Sequence, residues 1–363
     1  METSAAGAGA GAHSGVGSAL VVGAGVGGLA TAIALRRAGW TVTVLECRPA
    51  PERYGTAFGI HPTAQAALDR LGLGEVLRER AVPYRAARIR RPDGRVLAAL
   101  PLERIERRAG RPELLVSRPH LIDALLAELD RLGGTEVAYG QAYEPSAAVG
   151  ADLLIGADGI NSAVRADRLA TGSAPRELAE VAWIGIAGFE TGVYGETWGR
   201  GRFFGMTPVE PGRTNWYATV PAATTARDLR AAFAGWHDPI PRVLAETDPR
   251  TWIRYRMRHL HPALPSFTRT GGPCPVALVG DAAHAMTPNL GQGACTALLD
   301  AEALTRAVAA HGGPGGLPAA LRAYDAERRR SAQRIAFASR TLHRFMTVRR
   351  PALRDALVGL LPG

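Results

Sequence analysis

Short apolar runs that end in glycine-rich or aspartate-bearing turns are the most regular pattern in the chain. The first run covers residues 19–22 and leads into a G-x-G-x-x-G turn at residues 23–28. Residues 29–37 then show helical periodicity, and residues 40–45 alternate threonine with valine or leucine. A continuous apolar run predicts a buried strand, and alternation predicts a strand with two different faces. The pattern therefore predicts a β-α-β unit with a glycine-rich first turn.

This turn has the spacing found in dinucleotide-binding proteins. Gly23 permits a tight turn, Gly25 lets the backbone approach a pyrophosphate, and Gly28 lets helix and strand pack closely. The pyrophosphate would lie on the free N–H groups of the helix N-terminus. Glu46, 18 residues after Gly28, can accept hydrogen bonds from both ribose hydroxyls and argues against a 2′-phosphate. The expected ligand is FAD or NAD, and the alternative is a glycine-rich loop without a ligand.

Two later segments repeat the pattern of a buried strand followed by an acidic turn. Residues 152–155 lead to Asp158, and residues 275–279 lead to Asp281. A carboxylate at a strand end can hold sugar hydroxyls. The helix expected from residue 294 to about residue 309 opens on Gly-Gln-Gly, whose N–H groups can face an anion. The alternative is two ordinary strand-to-helix turns in which the aspartate caps the helix.

The middle of the chain has a different composition. Five of the six tryptophans lie there, and Pro/Gly turns separate its strand-like runs, so we predict an antiparallel sheet. The runs cover residues 181–191, 202–208, 214–221 and 251–257. Alternation places Phe203, Asn215 and Tyr217 on one face, which could cover a bound ring. The alternative is that these side chains belong to the core.

Composition and charge exclude several classes of protein. The net charge of the 363 residues is +10, and all 43 residues counted as Lys or Arg are arginine. The arginines are scattered and do not interleave with aromatic residues, so we interpret them as a solvated surface and not as a nucleic-acid site. No run reaches the ~18 apolar residues of a membrane span, and the N-terminus lacks the apolar region of a signal peptide. Three widely spaced cysteines predict neither a disulfide framework nor a metal site, so we expect a cytoplasmic protein.

The run GDAAHAMTPNLGQGAC at residues 280–295 carries a specific resemblance. Together with the two earlier turns, in this order and spacing, it resembles the FAD-dependent monooxygenases of the para-hydroxybenzoate hydroxylase fold. The similarity is closest to the branch that contains urate hydroxylase, salicylate hydroxylase and zeaxanthin epoxidase. It covers roughly residues 19–350, which is nearly the whole chain.

The resemblance implies a monooxygenase with FAD as its cofactor. NAD(P)H, bound only transiently, would reduce the flavin, and molecular oxygen would form a flavin C4a-hydroperoxide that oxidises an electron-rich aromatic ring or alkene. We expect a small-molecule substrate of bacterial secondary metabolism, hydroxylated or epoxidised by a monomer or homodimer, with no nucleic-acid or membrane partner. The alternative is an FAD-dependent reductase or dehydrogenase without oxygen insertion.

The resemblance also assigns residues to the cofactor. At the adenosine end, it places Gly23, Gly25, Gly27 and Gly28 at the pyrophosphate and Glu46 with Arg48 at the adenosine ribose. It places Arg118 on the flavin or pyrophosphate side, and Asp158 with Gly159 and Arg165 at flavin and pyridine-nucleotide contacts. At the flavin end, it places Asp281 at the ribityl chain, Gly59 beside the flavin ring, and Pro288, Leu290, Gly291, Gln292, Gly293 and Ala294 along the isoalloxazine. The pair Thr56-Ala57 departs from the family pattern and adds bulk where the backbone passes the ring.

Phe203, Asn215 and Tyr217 are the expected substrate residues. Members of the urate hydroxylase branch have a basic residue at the position of Phe203 and an aromatic residue at that of Asn215, so urate is not the expected substrate. No nucleophile constellation is present. His61, near the expected flavin edge, is the candidate catalytic residue, and His284 beside Asp281 is expected to buttress its loop.

The predicted fold is α/β. A Rossmann-like FAD-binding domain carries an inserted antiparallel-sheet substrate domain and a C-terminal helical segment. The expected boundaries are a flexible tail at 1–18, the FAD-binding domain at 19–176 and 271–310, the substrate domain at 177–270, and C-terminal helices at 311–363 that pack on the FAD-binding domain.

Overall fold

The computed structural model describes residues 17–51, 57–169, 171–272 and 274–360. Most of the tail predicted at 1–18 and the residue Thr56 therefore lie outside the described residues. The strands are β1 (Ser18–Val22), β2 (Thr41–Glu46), β3 (Ala57–Ile60), β4 (Val82–Tyr84), β5 (Arg88–Arg90), β6 (Val96–Ala99), β7 (Glu113–Ser117), β8 (Thr135–Tyr139), β9 (Leu153–Gly156), β10 (Ala174–Ala187), β11 (Gly195–Trp198), β12 (Phe203–Glu210), β13 (Arg213–Pro221), β14 (Ile253–His261), β15 (Thr268–Arg269) and β16 (Val276–Leu278).

Helices connect and cover these strands. They are α1 (Val26–Arg37), α2 (Pro62–Arg70), α3 (Gly74–Arg80), α4 (Leu102–Ala109), α5 (Arg118–Leu132), α6 (Ala163–Leu169), α7 (Ala226–Phe233), α8 (Ile240–Glu246), α9 (Asp281–His284), α10 (Gly293–Ala310), α11 (Leu317–Met346) and α12 (Pro351–Gly359), with short 3-10 helices at Pro145–Ala148, Pro249–Thr251, Pro288–Leu290 and Gly313–Gly316. No helix in the described ranges combines the length and the apolar character needed to cross a membrane.

A six-stranded sheet contains the predicted β-α-β unit. Its order is β15-β16-β9-β1-β2-β8, and every neighbouring pair is parallel except β15 with β16. Strands β1, β9 and β16 are almost entirely buried, as expected for parallel strands inside an α/β core. Helix α1 packs between α5 and α10 in that core. The prediction of a Rossmann-like α/β fold is confirmed.

A seven-stranded sheet lies beside it, in the order β14-β10-β13-β12-β11-β5-β6. Its strands β10 to β14 come from the tryptophan-rich region, where an antiparallel sheet was predicted. The sheet is not confined to residues 177–270, however, because β5 and β6 extend it from residues 88–99. Strand β5 pairs in parallel with β11, which lies about a hundred residues further along the chain. No local sequence pattern predicts such a pairing.

Alternation separates two sets of side chains on this sheet. Phe204 and Trp216 stack with ring centroids 5.6 Å apart and form a core with α7 and α8. Phe203, Asn215 and Tyr217 lie on the opposite face, as the period of two predicted. A three-stranded sheet, β3-β7-β4, packs against β12.

The C-terminal helices divide between the two large sheets. Helix α11 packs on α10, but its end and α12 pack on the seven-stranded sheet, where Met346 and Val358 join Phe203 in one apolar cluster. The buried Arg354 holds α12 there by donating to the carbonyl oxygens of Gly199 at 2.8 Å and Met346 at 2.9 Å. The expected packing of residues 311–363 on the FAD-binding domain is seen for α11 against α10, and the contacts of α12 with the seven-stranded sheet add to it.

Candidate cofactor and substrate site

The glycine-rich turn after β1 contains one glycine that faces open space and two that the fold requires. Gly23 has φ = 107°, and a Cβ atom there would collide with the carbonyl oxygen of Ala157. A Cβ atom at Gly28 would collide with the carbonyl oxygen of Gly23. At Gly25, no described atom lies within 4 Å of the position that a Cβ atom would take. This open position leaves room for a pyrophosphate.

Helix α1 begins next to this open position. Its N-cap is Gly25, and no side chain of the described residues caps it, so the N–H groups of its first turn can bind an anion. Gly27 faces α10, where a Cβ atom would lie 3.2 Å from the Cβ atom of Ala297. Gly27 therefore lets α1 and α10 approach each other closely.

Glu46 joins the end of β2 to this turn. It is 5% exposed, its Oε2 accepts from the N–H of Ala24 at 2.8 Å, and its Oε1 accepts from the N–H of Arg48 at 2.9 Å. The Arg48 guanidinium lies 3.4 Å from the same carboxylate. The Cys47 thiol also donates to Oε1 at 3.5 Å, so the lone pair that can accept a ribose hydroxyl while Glu46 holds the turn belongs to Oε2.

We expect Glu46→Ala to weaken FAD binding and also to lower the stability of the apoprotein. Losing a hydrogen bond to a charged group costs about 1.5–3 kcal/mol, or about 10- to 100-fold in the FAD Kd. The N–H groups of Ala24 and Arg48 lose their acceptor as well. FAD retained after desalting and the apoprotein Tm measure the two effects, with Glu46→Gln as the milder variant. Unchanged retention would remove Glu46 from the cofactor site.

Asp158 caps α6 with one oxygen and leaves the other unsatisfied. Its Oδ2 accepts from the N–H groups of Ala163 at 2.6 Å and Val164 at 3.1 Å, whereas its Oδ1 is buried with no partner among the described residues. A buried acceptor without a donor fits a hydroxyl of a bound cofactor. The buried Arg165 guanidinium donates to the carbonyl oxygens of Ala282 and Ile160, and its contact with the cofactors stays a prediction.

Asp281 is the first residue of α9 and directly follows Gly280. It is exposed to solvent, yet desolvation by the surrounding protein atoms raises its pKa. The positive charges of His284, Arg118 and Arg258 oppose this rise in the pKa. Arg118 also lies over the ring of Phe58, 5.2 Å from its centroid. The fold thus brings two arginines, from α5 and β14, toward the aspartate expected at the ribityl chain.

A buried ionic network holds the turn that carries Asp281. Asp300 in α10 is fully buried and accepts from the N–H of Gly280 at 3.0 Å, His284 Nε2 at 2.5 Å and Arg328 Nε at 2.9 Å. Burial alone would raise the pKa of Asp300, but His284 and Arg328 together bring it below its ordinary value. His284 therefore buttresses the turn, as expected.

The N-terminus of α10 is a second open helix end. Helix α10 starts at Gly293 after the N-cap Gln292, and no side chain of the described residues caps it. No described atom lies within 4 Å of a Cβ atom placed at Gly291 or Gly293. Pro288 and Leu290 are exposed in the turn before it, although both are apolar, and Ala294 packs against the core. Apolar surface beside open N–H groups fits a planar ring with an anionic edge.

Strand β3 is joined to α10 at this point. The thiol of Cys295 donates to the carbonyl oxygen of Gly59 at 3.0 Å and accepts from the N–H of His61 at 3.4 Å. Burial raises the pKa of this thiol to about 12, so it is no nucleophile. The His61 ring lies 3.2 Å from the hydroxyl of Thr63, and burial lowers its pKa, which favours the neutral imidazole at pH 7. A catalytic role of His61 stays a prediction.

The three expected substrate residues differ in their surroundings. Phe203 is 3% exposed and packs in the apolar cluster with Met346 and Val358, so its truncation would open that core. Asn215 is also buried, and its Nδ2 donates to the hydroxyl of Thr207 at 3.1 Å. Tyr217 keeps accessible surface on the same face. Of the three, Tyr217 is the most accessible residue, and a substrate role of each stays a prediction.

The local sequence pattern did not indicate several residues of the site. The acid of Asp300 within an apolar helix could have indicated a buried network. The residues adjacent in sequence to Arg258 and Glu196 did not indicate a charged site. Glu196 lies in β11, which was not among the predicted strands. Only the sheet pairing brings Glu196 to the face that bears Tyr217.

These observations together fit an FAD molecule. Two helix N-termini without a side-chain cap are available for negative charge, and the glycines at 25, 291 and 293 leave space beside them. Glu46 and Asp158 have acceptor capacity to spare for hydroxyl groups. Desolvation raises the pKa of Asp281, and hydrogen bonds from the hydroxyl groups of a bound chain would offset the cost of that desolvation.

Known proteins resemble the chain along most of its length. The FAD binding domain family matches residues 17–145 and 128–339. Aurachin C monooxygenase/isomerase of Stigmatella aurantiaca is 32% identical over 337 residues, covering 85% of this chain and 84% of the relative. The 3-amino-4-hydroxybenzoate 2-monooxygenase of Streptomyces cremeus is 32% identical, and the alignment covers 87% of this chain and 86% of the relative. The structure of Klebsiella pneumoniae HpxO with FAD and uric acid superposes with a TM-score of 0.81 at 27% identity, over 94% of this chain and 92% of that one.

Proposed function

Because the chain belongs to the FAD binding domain family, and its relatives there are FAD-dependent monooxygenases, we propose that it inserts one oxygen atom into a small electron-rich aromatic or alkene substrate. One O₂ and one NAD(P)H are consumed, one oxygen atom enters the substrate, and the other leaves as water. The observation that carries the proposal is the pair of helix N-termini, at Gly25 and Gln292, that no side chain of the described residues caps.

The chain's own residues hold the cofactor at both ends. The N–H groups at the start of α1 bind the pyrophosphate, Glu46 accepts from the adenosine ribose, and Asp281 accepts from the ribityl hydroxyls. The N–H groups at the start of α10 favour negative charge on the pyrimidine edge of the ring. When bound, FAD supplies the electron transfer and the oxygen activation.

The protein's second task is to position the substrate and to exclude water. The sheet face that carries Tyr217 provides one wall, and the turn at residues 288–290 provides another. These two walls meet, because Asn289 Nδ2 donates to the sulfur of Met346 at 3.5 Å and Met346 packs on Phe203. The substrate would lie between the sheet face and the flavin ring.

The names of the relatives point to varied substrates. We propose a small aromatic or alkene compound in a bacterial tailoring pathway. The family resemblance to urate hydroxylases does not extend to Phe203 and Asn215, which argues against urate. We also propose a cytoplasmic site of action, where NAD(P)H is available and where three free cysteines, of which Cys47 is exposed, would stay reduced.

Oxygen incorporation tests the proposal. The purified protein is expected to be yellow and to oxidise NAD(P)H faster with its substrate, across a panel of phenols, indoles and alkenes. Mass spectrometry after reaction under ¹⁸O₂ should find one labelled oxygen atom in the product. Substrate-dependent NAD(P)H oxidation with no label in any product would instead establish a reductase or dehydrogenase.

A further inference from the structure

A cavity of about 160 Å³ opens between the end of β14, helix α9 and helix α11. Helix α11 contributes one of its faces, because Gln333, Ala336, Phe337 and Arg340 follow the spacing i, i+3, i+4, i+7. Of the described residues that line the cavity, none was assigned above to the cofactor or to the substrate. The cavity is therefore separate from the residues expected to hold FAD.

Most of the cavity lining is apolar. Leu260 and Leu264 contribute side chains from β14 and the segment after it, and Ala283 and Ala285 contribute small ones from the turn at α9. Phe337 also lines the cavity and is 61% exposed, so an aromatic ring lies where the cavity meets the solvent. An apolar cavity of about 150 Å³ can bind benzene. The space therefore accommodates one six-membered ring.

Two ring nitrogens of the lining have no hydrogen-bond partner. His259 Nδ1 and His284 Nδ1 are both buried without one among the described residues, although His284 Nε2 is bonded to Asp300 at 2.5 Å. Cavities that stay empty are apolar, and a buried polar atom costs free energy until a ligand or a water satisfies it. The two nitrogens therefore indicate a cavity that takes a polar group together with a ring.

A guanidinium group at the cavity has no acidic partner. Arg340 donates to His261 Nδ1 at 3.2 Å and lies over Phe337, 5.7 Å from the ring centroid. No carboxylate of the described residues forms an ion pair with it. Arginine binds carboxylates through charge-assisted hydrogen bonds, often with two N–H groups at once. Arg340 is therefore available to an anion that enters beside Phe337.

Positive charge outweighs negative charge around the cavity. The pKa of His259 is lowered to about 4, first by burial and then by the positive charges of Arg340, His261, Arg344 and His343. The carboxylates that bond to groups of this region are already paired, Glu180 with His343 and Asp300 with Arg328. His259 is thus neutral at pH 7, and a neutral imidazole can carry its hydrogen on Nδ1 and donate it.

We propose that this cavity binds a small aromatic carboxylate, with the ring among the apolar side chains and the carboxylate on Arg340 and His259. The guanidinium supplies the charge, and the imidazole N–H supplies a further donor to the carboxylate. Phe337 covers the ring from the solvent side. This binding site does not depend on the proposed function, because it uses no residue that holds the flavin or the substrate of that reaction.

Calorimetric titration of the FAD-loaded protein with benzoate, benzamide and acetate tests the proposal. Benzamide keeps the shape of benzoate without its charge, and acetate keeps the charge without the ring. We expect benzoate to bind about 10- to 100-fold tighter than either, the range of one hydrogen bond to a charged group. The flavin absorbance is recorded in the same titrations, because benzoate in contact with the flavin would perturb it.

Variants of α11 assign the binding to this cavity. Arg340→Gln should weaken benzoate binding at least about 10-fold and leave benzamide unaffected, because only the charge is lost. Ala336→Leu should abolish benzoate binding by filling the space while every charge stays in place. Arg334→Gln is the matched control, because Arg334 lies on the same helix, is exposed and does not line the cavity. It should leave the benzoate Kd unchanged, and FAD should stay bound in all three variants.

Crystals soaked with 4-bromobenzoate locate the ligand by the anomalous signal of bromine. Bromine between β14 and α11, together with the loss of binding in Arg340→Gln and Ala336→Leu, supports the site. No measurable binding of benzoate, equal binding of benzoate and benzamide, a benzoate Kd that neither variant changes, or bromine found only beside the flavin overturns it. Each of these outcomes is independent of whether labelled oxygen enters a product.

Discussion

Replacing Asp300 by alanine is expected to lower the free energy of unfolding by about 3–5 kcal/mol, because removing one partner of a buried ion pair leaves the other charge uncompensated. Arg328, with its guanidinium in the interior, would lose its carboxylate partner. The N–H of Gly280 and the ring of His284 would lose their acceptor too. The same loss should loosen the Gly280-Asp281 turn and reduce FAD retention. Chemical denaturation of the apoprotein measures the stability, and desalting measures the retention.

An exposed ion pair supplies the control for this variant. Glu246→Ala removes the surface pair with Arg242 on α8 and should change the stability by no more than about 0.5 kcal/mol. The pH dependence adds a second check. The folded pKa of Asp300 lies below its ordinary 3.8, so its stabilisation is present above that pH and is lost as the pH falls through the lowered pKa. The gap between wild type and Asp300→Asn should therefore narrow in acid. A loss of less than about 1 kcal/mol in Asp300→Ala would contradict the network's role.

Asp281→Ala is expected to weaken FAD binding about 10- to 100-fold without lowering the stability of the apoprotein. Desolvation raises the folded pKa of Asp281, so ionisation of this carboxylate disfavours the folded apoprotein relative to the unfolded chain. Removing this carboxylate relieves that cost, whereas the holoprotein loses an acceptor for the ribityl hydroxyls. The apoprotein Tm should therefore stay constant or rise, while the increase in Tm on adding FAD should shrink.

Fluorescence titration with FAD and thermal unfolding with and without FAD measure these two effects. Asp130→Ala, which removes an exposed carboxylate from α5, is the control and should change neither. A variant that keeps the wild-type FAD affinity would show that Asp281 does not contact the cofactor. A large fall in the apoprotein Tm would show that Asp281 has a structural role in place of the proposed one.

The β1-α1-β2 unit shows how much the sequence determines by itself. Its strand, turn, helix and second strand are consecutive, so hydrophobic periodicity and the positions of glycine specify them without reference to the rest of the chain. The same holds for the start of α10 after Gly291-Gln292-Gly293. The aligned faces of β12 and β13 also followed from a period of two, because side chains alternate within each strand whatever its neighbours are.

Pairings between distant segments were decided only by the tertiary structure. The parallel addition of β5 to β11, the docking of α12 through Arg354 and the meeting of Asp300 with Arg328 join residues that no local period relates. Local alternation placed Phe203 and Tyr217 on one face of the sheet. The end of α11 and helix α12, from the C-terminal part of the chain, cover Phe203 and leave Tyr217 partly accessible. The hydrogen bond from Tyr217 to Glu196 forms because three strands align Glu196, Gly205 and Tyr217 in one row. The register between strands depends on how the whole sheet packs, so no single position in the sequence determines it.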